Sequence, residues 1–95
     1  MDKYEQSLKI AEALGDQVGV ARSNGQIGQL LTQVGRYAEA FMHLLFALNT
    51  FKKLESPNAE IAANNLKALR ILWGEKEFDA AWHKATGEEV PDWLK

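Results

Sequence analysis

Tyr4, Leu8, Ala11 and Leu14 return forty residues later as Leu44, Leu48, Phe51 and Leu54. Ala21, Asn24, Leu31, Tyr37 and Ala40 return forty-one residues later as Ala62, Asn65, Leu72, Phe78 and Ala81. A chain that repeats at such an interval stacks supersecondary units, each burying an apolar face that it cannot bury alone. The units are helical, because apolar residues recur at three- and four-residue steps while alternating β-branched runs are missing. Gly15, Gly35, Gly74 and Gly87 each follow an amphipathic run, where a left-handed residue closes a helix. Asp16 and Ser56 read as N-caps, and Pro57 suits a first helical position. The spacing predicts an all-α chain of five helices, over about 2–14, 17–34, 37–55, 57–73 and 76–86, followed by a short tail. The first predicted helix repeats the third, and the second and third repeat as the fourth and fifth.

At 95 residues the chain is long enough to form one core without staples. It has no cysteine, which excludes disulfides, thiolate zinc sites and thiol nucleophiles, and suits a reducing compartment. Charge is balanced along the chain: four basic and five acidic groups in residues 1–48, seven and eight in residues 49–95. Neither nucleic acid nor anionic lipid finds a basic surface there. The sequence has no apolar run of the roughly 18 residues that a membrane span needs, and no signal-peptide layout. The expectation is a cytoplasmic chain with no membrane or nucleic-acid partner.

The run Ala21-Arg22-Ser23-Asn24-Gly25-Gln26-Ile27-Gly28, followed by Leu31, Gly35-Arg36-Tyr37, Glu39-Ala40 and Ala47, resembles a tetratricopeptide repeat of the longer, forty-residue variety. In that variety Leu14-Gly15-Asp16 would end one unit and open the next. The resemblance implies a right-handed α-solenoid of antiparallel helix pairs, about two and a half repeats in one domain. Residues 1–15 would be the second helix of a truncated repeat, 16–56 a complete repeat, and 57–95 a degenerate terminal repeat with a capping tail. Gly28 and Ala40 would be small because paired helices approach closely there, Gly35 would turn the chain, and Tyr37 would fill the gap between units. In the last unit Leu69 or Lys67 falls where that contact wants glycine, and aligning Gly35 with Gly74 needs a separation of 39, so the register slips. Val90, Pro91, Trp93 and Leu94 would cover the end of the stack. On that resemblance the missing first helix would mark a C-terminal fragment of a larger repeat protein. Its uncovered Tyr4 and Leu8 would favour a homodimer.

Residues suited to catalysis are sparse. His43 and His83 stand forty apart without a ligand at the spacing of a His-Glu-x-x-His pair. Glu75, Glu77, Asp79, Glu88 and Glu89 lack the alternating calcium loop and read as solvated helix starts. Gly25 and Gly28 follow no strand and precede no Lys-Ser or Lys-Thr, so close helix packing explains them better than a phosphate turn. Trp73, Trp82 and Trp93 read as core and cap in preference to a ligand cage. The chain is therefore expected to be non-enzymatic and to need no metal or cofactor.

The functional expectation rests on two polar stripes. Arg22, Gln26, Gln29 and Gln33 fall on one helical face, opposite Val20, Ile27, Leu30, Leu31 and Val34. Glu60, Asn64, Lys67 and Arg70 form the comparable stripe of the next unit, with Ile71 among them, opposite Ile61, Ala62, Leu69, Leu72 and Trp73. In proteins that this chain resembles, the first helix of each unit lines a concave groove. The resemblance thus implies a peptide or protein partner gripped by Arg22, Gln26, Gln29, Gln33, Asn64, Lys67, Arg70 and Ile71. Met42 and Phe46 lie on the side of their helix away from Tyr37, Leu44, Leu48 and Phe51, where a neighbouring repeat, a second copy or a helical partner would cover them. A structural spacer or self-association module is the alternative to the scaffold.

Overall fold

The structure, a computed structural model, describes residues 17–95. The first predicted helix, the caps at Gly15 and Asp16 and the self-association residues Tyr4 and Leu8 lie outside the described residues. Within them the chain forms α1 (Gln17–Gln33), α2 (Tyr37–Lys53), α3 (Asn58–Trp73), α4 (Glu75–Thr86) and a 3-10 turn (Asp92–Leu94). These bounds agree with the predicted ones to within two residues. No strand occurs among the described residues, and none of their helices is long and apolar enough to cross a membrane.

The helix ends follow from local chemistry. Gly35, at φ 82°, ends α1: its N–H donates to the Thr32 carbonyl and that of Arg36 to the Leu31 carbonyl at 2.8 Å. This paired bonding satisfies carbonyls that the helix leaves orphaned. The same motif ends α2, where Ser56 N–H reaches Phe51 and Glu55 N–H reaches Lys52. There the left-handed position is filled by Glu55, at φ 54°, a conformation that costs a residue with a Cβ about 1–2 kcal/mol. Pro57 occupies the cap position of α3, and the Ser56 hydroxyl before it accepts the Asn58 N–H at 3.2 Å. Gly74, at φ 107°, joins α3 to α4 in a single residue, and Gly87, at φ 75°, closes α4.

Each described helix packs on the one before it. The α1–α2 pair is antiparallel and drawn together at Gly28, where an added Cβ would lie 2.6 Å from Leu44 Cγ, 2.7 Å from its Cδ2 and 3.3 Å from the Ala40 carbonyl oxygen. Asn24 crosses the same interface: its amide nitrogen donates to the Val20 carbonyl at 2.9 Å, and its oxygen meets His43 Nδ1 at 2.7 Å. Phe41 of α2 then joins the last two helices, meeting Trp73 of α3 and Phe78 of α4 at ring separations of 6.1 and 5.4 Å. Edge-to-face and tilted ring contacts of this kind add to the area that they bury. Tyr37 packs against this core half-buried.

The tail packs on the helices: Val90 and Leu94 are buried, Trp93 meets Trp82 edge-on at 6.2 Å, and Lys52 Nζ lies over the Trp93 ring at 5.2 Å. Trp73, Trp82 and Trp93 belong to the core or pack on it.

Several residues expected on the buried side are exposed. Val34, Ile61 and Leu72 are 65%, 57% and 58% exposed. In α3 the row that meets α2 is Ala62, Leu66, Leu69 and Trp73, which turns Ile61 and Leu72 out of the core. The forty-one-residue correspondence fails here, because Leu31 is buried where Leu72 is not. Buried pairs occur at a separation of thirty-eight for Asn24 with Ala62, Gly28 with Leu66 and Leu31 with Leu69, and at forty-one for Ala21 with Ala62 and Gly28 with Leu69.

Candidate partner-binding cleft

Because α1 and α3 both run antiparallel to α2, they lie side by side and parallel, with a cleft of about 310 Å³ between them. Phe51 of α2, which is buried, contributes to its lining. Arg22, Gly25, Gln26 and Gln29 line it from α1, and Asn58, Ile61, Ala62 and Asn65 from α3. The Gln29 amide donates to Asn65 Oδ1 at 3.1 Å, tying the two helices across the cleft. Apolar surface from Phe51, Ile61 and Ala62 is thereby ringed by four side-chain amides and one guanidinium. Such a combination fixes the orientation of a bound group while an apolar part of it leaves water.

The stripe on α1 is placed as the sequence predicts: Arg22, Gln26, Gln29 and Gln33 are all exposed, and the first three line the cleft. The stripe on α3 is brought to the site only in part. Asn64, Lys67 and Ile71 are exposed but stand outside the lining, Ile71 at 79%. Arg70 does not belong to the stripe. It is 8% exposed and turned toward α4, where Nε and Nη2 donate to the two Asp79 oxygens at 2.9 and 3.2 Å and Nη1 donates to Glu75 at 3.1 Å.

The cause is visible in the spacing of charges, since α4 opens with carboxylates and a guanidinium needs bidentate partners to leave water. The hydrogen bond from Arg70 holds the Asp79 carboxyl below the ordinary carboxylate range; burial opposes this, and the charges of Arg70 and Lys95 add to it. The bond to Asp79 likewise raises the Arg70 guanidinium above its already high value, so it is charged at every accessible pH.

Sequence reasoning missed Gly25, Phe51, Asn58, Ile61, Ala62 and Asn65 as lining residues. Gly25 was expected, like Gly28, to serve close helix packing, and the structure corrects this. It stands in mid-helix, yet unlike Gly28 it is not needed for packing: an added Cβ would meet nothing nearer than Ala47 Cβ at 4.0 Å. Met42 and Phe46 lie elsewhere, 65% and 47% exposed on the outer side of α2. A second recess, of about 350 Å³, is lined by Asp79, His83, Glu89, Val90 and Lys95 and mixes both signs of charge. No family model, curated protein or solved structure matches this chain.

Proposed function

We propose that this chain is a non-enzymatic protein-interaction scaffold of the tetratricopeptide type, a right-handed helical solenoid working in the cytoplasm and presenting α1 and α3 to a peptide or protein partner. One observation carries the reading: the two helices hold a preformed cleft with an apolar wall and a polar rim, and Arg22 on that rim makes no ion pair among the described residues. A merely solvated face has no cause to leave Phe51 and Ile61 lining a recess between amides. The test is a peptide array probed with the wild-type chain and an Arg22→Glu/Lys67→Glu variant at low and moderate salt. Both side chains are exposed, so the variant keeps its fold. Binding of acidic peptides that weakens with salt and is lost in the variant supports the scaffold; an array blank for both proteins refutes it.

A second reading, self-association, is favoured by Met42 and Phe46, whose steps along α2 place two large apolar side chains together in solvent. If it holds, sedimentation gives a dimer that Phe46→Ser reduces to a monomer, and a monomeric wild type rejects it.

A further inference from the structure

A glycine inside a helix weakens it relative to alanine, so one that packing does not require calls for another reason. Gly28 has its reason in Leu44 and Ala40. Gly25, three residues earlier on the same helix, has none in packing, since a methyl group there would stand at ordinary distance from everything around it. What the missing side chain does leave is space: Gly25 lines the cleft together with Ala62, another small residue, and with Phe51 and Ile61. The Gln29–Asn65 hydrogen bond crosses from helix to helix at one end of this space. An α-helix, about 10 Å across, cannot sink between helices tied in this way, whereas a single side chain can.

The charge of the lining selects among side chains and their neighbours. Arg22 is the one ionisable residue of the lining among the described residues, and no carboxylate among them lines the cleft. Its guanidinium is exposed and free of ion pairs among the described residues, so an incoming carboxylate would be its first partner there. Gln26, Asn58 and the free valences of Gln29 and Asn65 offer donors and acceptors to a peptide backbone.

We infer that the cleft is a pocket for one apolar side chain of an extended partner segment whose adjacent residue is acidic, and that Gly25 keeps it open. The apolar side chain enters beside Gly25 against Phe51 and Ile61, the neighbouring carboxylate meets Arg22, and the amides hold the backbone. This rests on the scaffold reading and adds the partner's chemistry to it.

The test uses the full chain and a positional peptide library in which one residue is Leu, Phe, Ala or Lys and the next is Asp, Asn or Lys. The wild type should select Leu or Phe followed by Asp. Gly25→Leu, which fills the pocket with its own side chain, should melt at or above the wild-type temperature yet bind the selected peptides at least tenfold more weakly. Arg22→Gln should keep the apolar preference and lose that for Asp. Selected peptides that bind Gly25→Leu as well as wild type would overturn the pocket while leaving the scaffold standing, and so would selection of a different chemistry. Failure of the wild type to bind any peptide would remove the scaffold and the pocket together. A wild-type dimer that Gly25→Leu dissolves would assign the cleft to a second copy and overturn the partner.

Discussion

Replacing Gly25 and Gly28 separately by alanine gives two variants of one helix, three residues apart, whose stabilities should move in opposite directions. Both replacements remove the same backbone freedom from the unfolded chain and gain the same helical propensity, together about 0.5–1 kcal/mol. At Gly25 nothing opposes that gain, because the new methyl meets only Ala47 Cβ at 4.0 Å. At Gly28 the methyl would lie 2.6 and 2.7 Å from Leu44 Cγ and Cδ2, and Leu44 is itself 1% exposed with nowhere to go. The Ala40 carbonyl, at 3.3 Å, blocks retreat along the backbone. Overpacking of this kind costs about 1–3 kcal/mol, so Gly28→Ala should lose on balance roughly 0.5–2 kcal/mol. The difference between the two variants isolates the packing cost, since the propensity and unfolded-state terms cancel.

Urea unfolding of wild type and both variants measures this directly, and in a domain of this size each kcal/mol also moves the melting temperature by about 4–8 °C. Shortening Leu44 in the Gly28→Ala background should recover part of the loss, because contacting residues are not additive. If the two alanine variants shift stability equally and in the same direction, the close approach of α1 and α2 at Gly28 is refuted.

Other predictions concern the helix ends and the Arg70 ion pairs. Glu55→Gly should stabilise the chain by up to about 1 kcal/mol in the same urea assay, because glycine takes the left-handed conformation without strain. Asp79→Ala should cost more stability than Arg70→Met, because it leaves the Arg70 guanidinium with only the exposed Glu75 as partner, whereas the latter returns carboxylates to water. The Asp79 carboxyl binds its proton less readily folded than unfolded, so its contribution is present above the unfolded value of about 3.9 and is lost as pH falls through the lower folded value. Asp79→Asn should accordingly flatten the acid limb of a stability-versus-pH curve. Deleting residues 89–95 removes Val90, Trp93 and Leu94 from the core, and should red-shift the remaining tryptophan emission and lower the melting temperature.

The helices of the described region were legible because their ends are written in local chemistry, and Gly35, Ser56 and Gly74 stand where the backbone turns. Gly28 was legible for the same reason, since only a close approach explains a glycine facing Leu44. The inner face of α3 was not. Its apolar residues nearly encircle it, so periodicity alone did not show that Ala62, Leu66 and Leu69 face α2 while Ile61 and Leu72 face out. Arg70 was misread for a related reason: on a helical wheel it continues the row of Glu60, Asn64 and Lys67, and its carboxylate partners on α4 are fixed by the fold. The cleft escaped notice because it is formed between elements. Arg22, Gln26 and Gln29 could be named from their stripe, whereas Phe51 and Asn65 join them only once α1 and α3 lie side by side.

The Asn24 amide that bridges α1 to α2 has a consequence for spectroscopy. Its nitrogen faces the Val20 carbonyl, an acceptor, so its oxygen faces His43, and the ring nitrogen it meets must carry a hydrogen. His43 is thereby confined, whenever it is neutral, to the tautomer protonated on Nδ1 with a bare Nε2. Free imidazole in water exchanges between both forms. The two nitrogen-15 resonances of this ring therefore gauge whether the first two described helices are docked: widely split and fixed when they are, averaged toward the free-histidine values when they part.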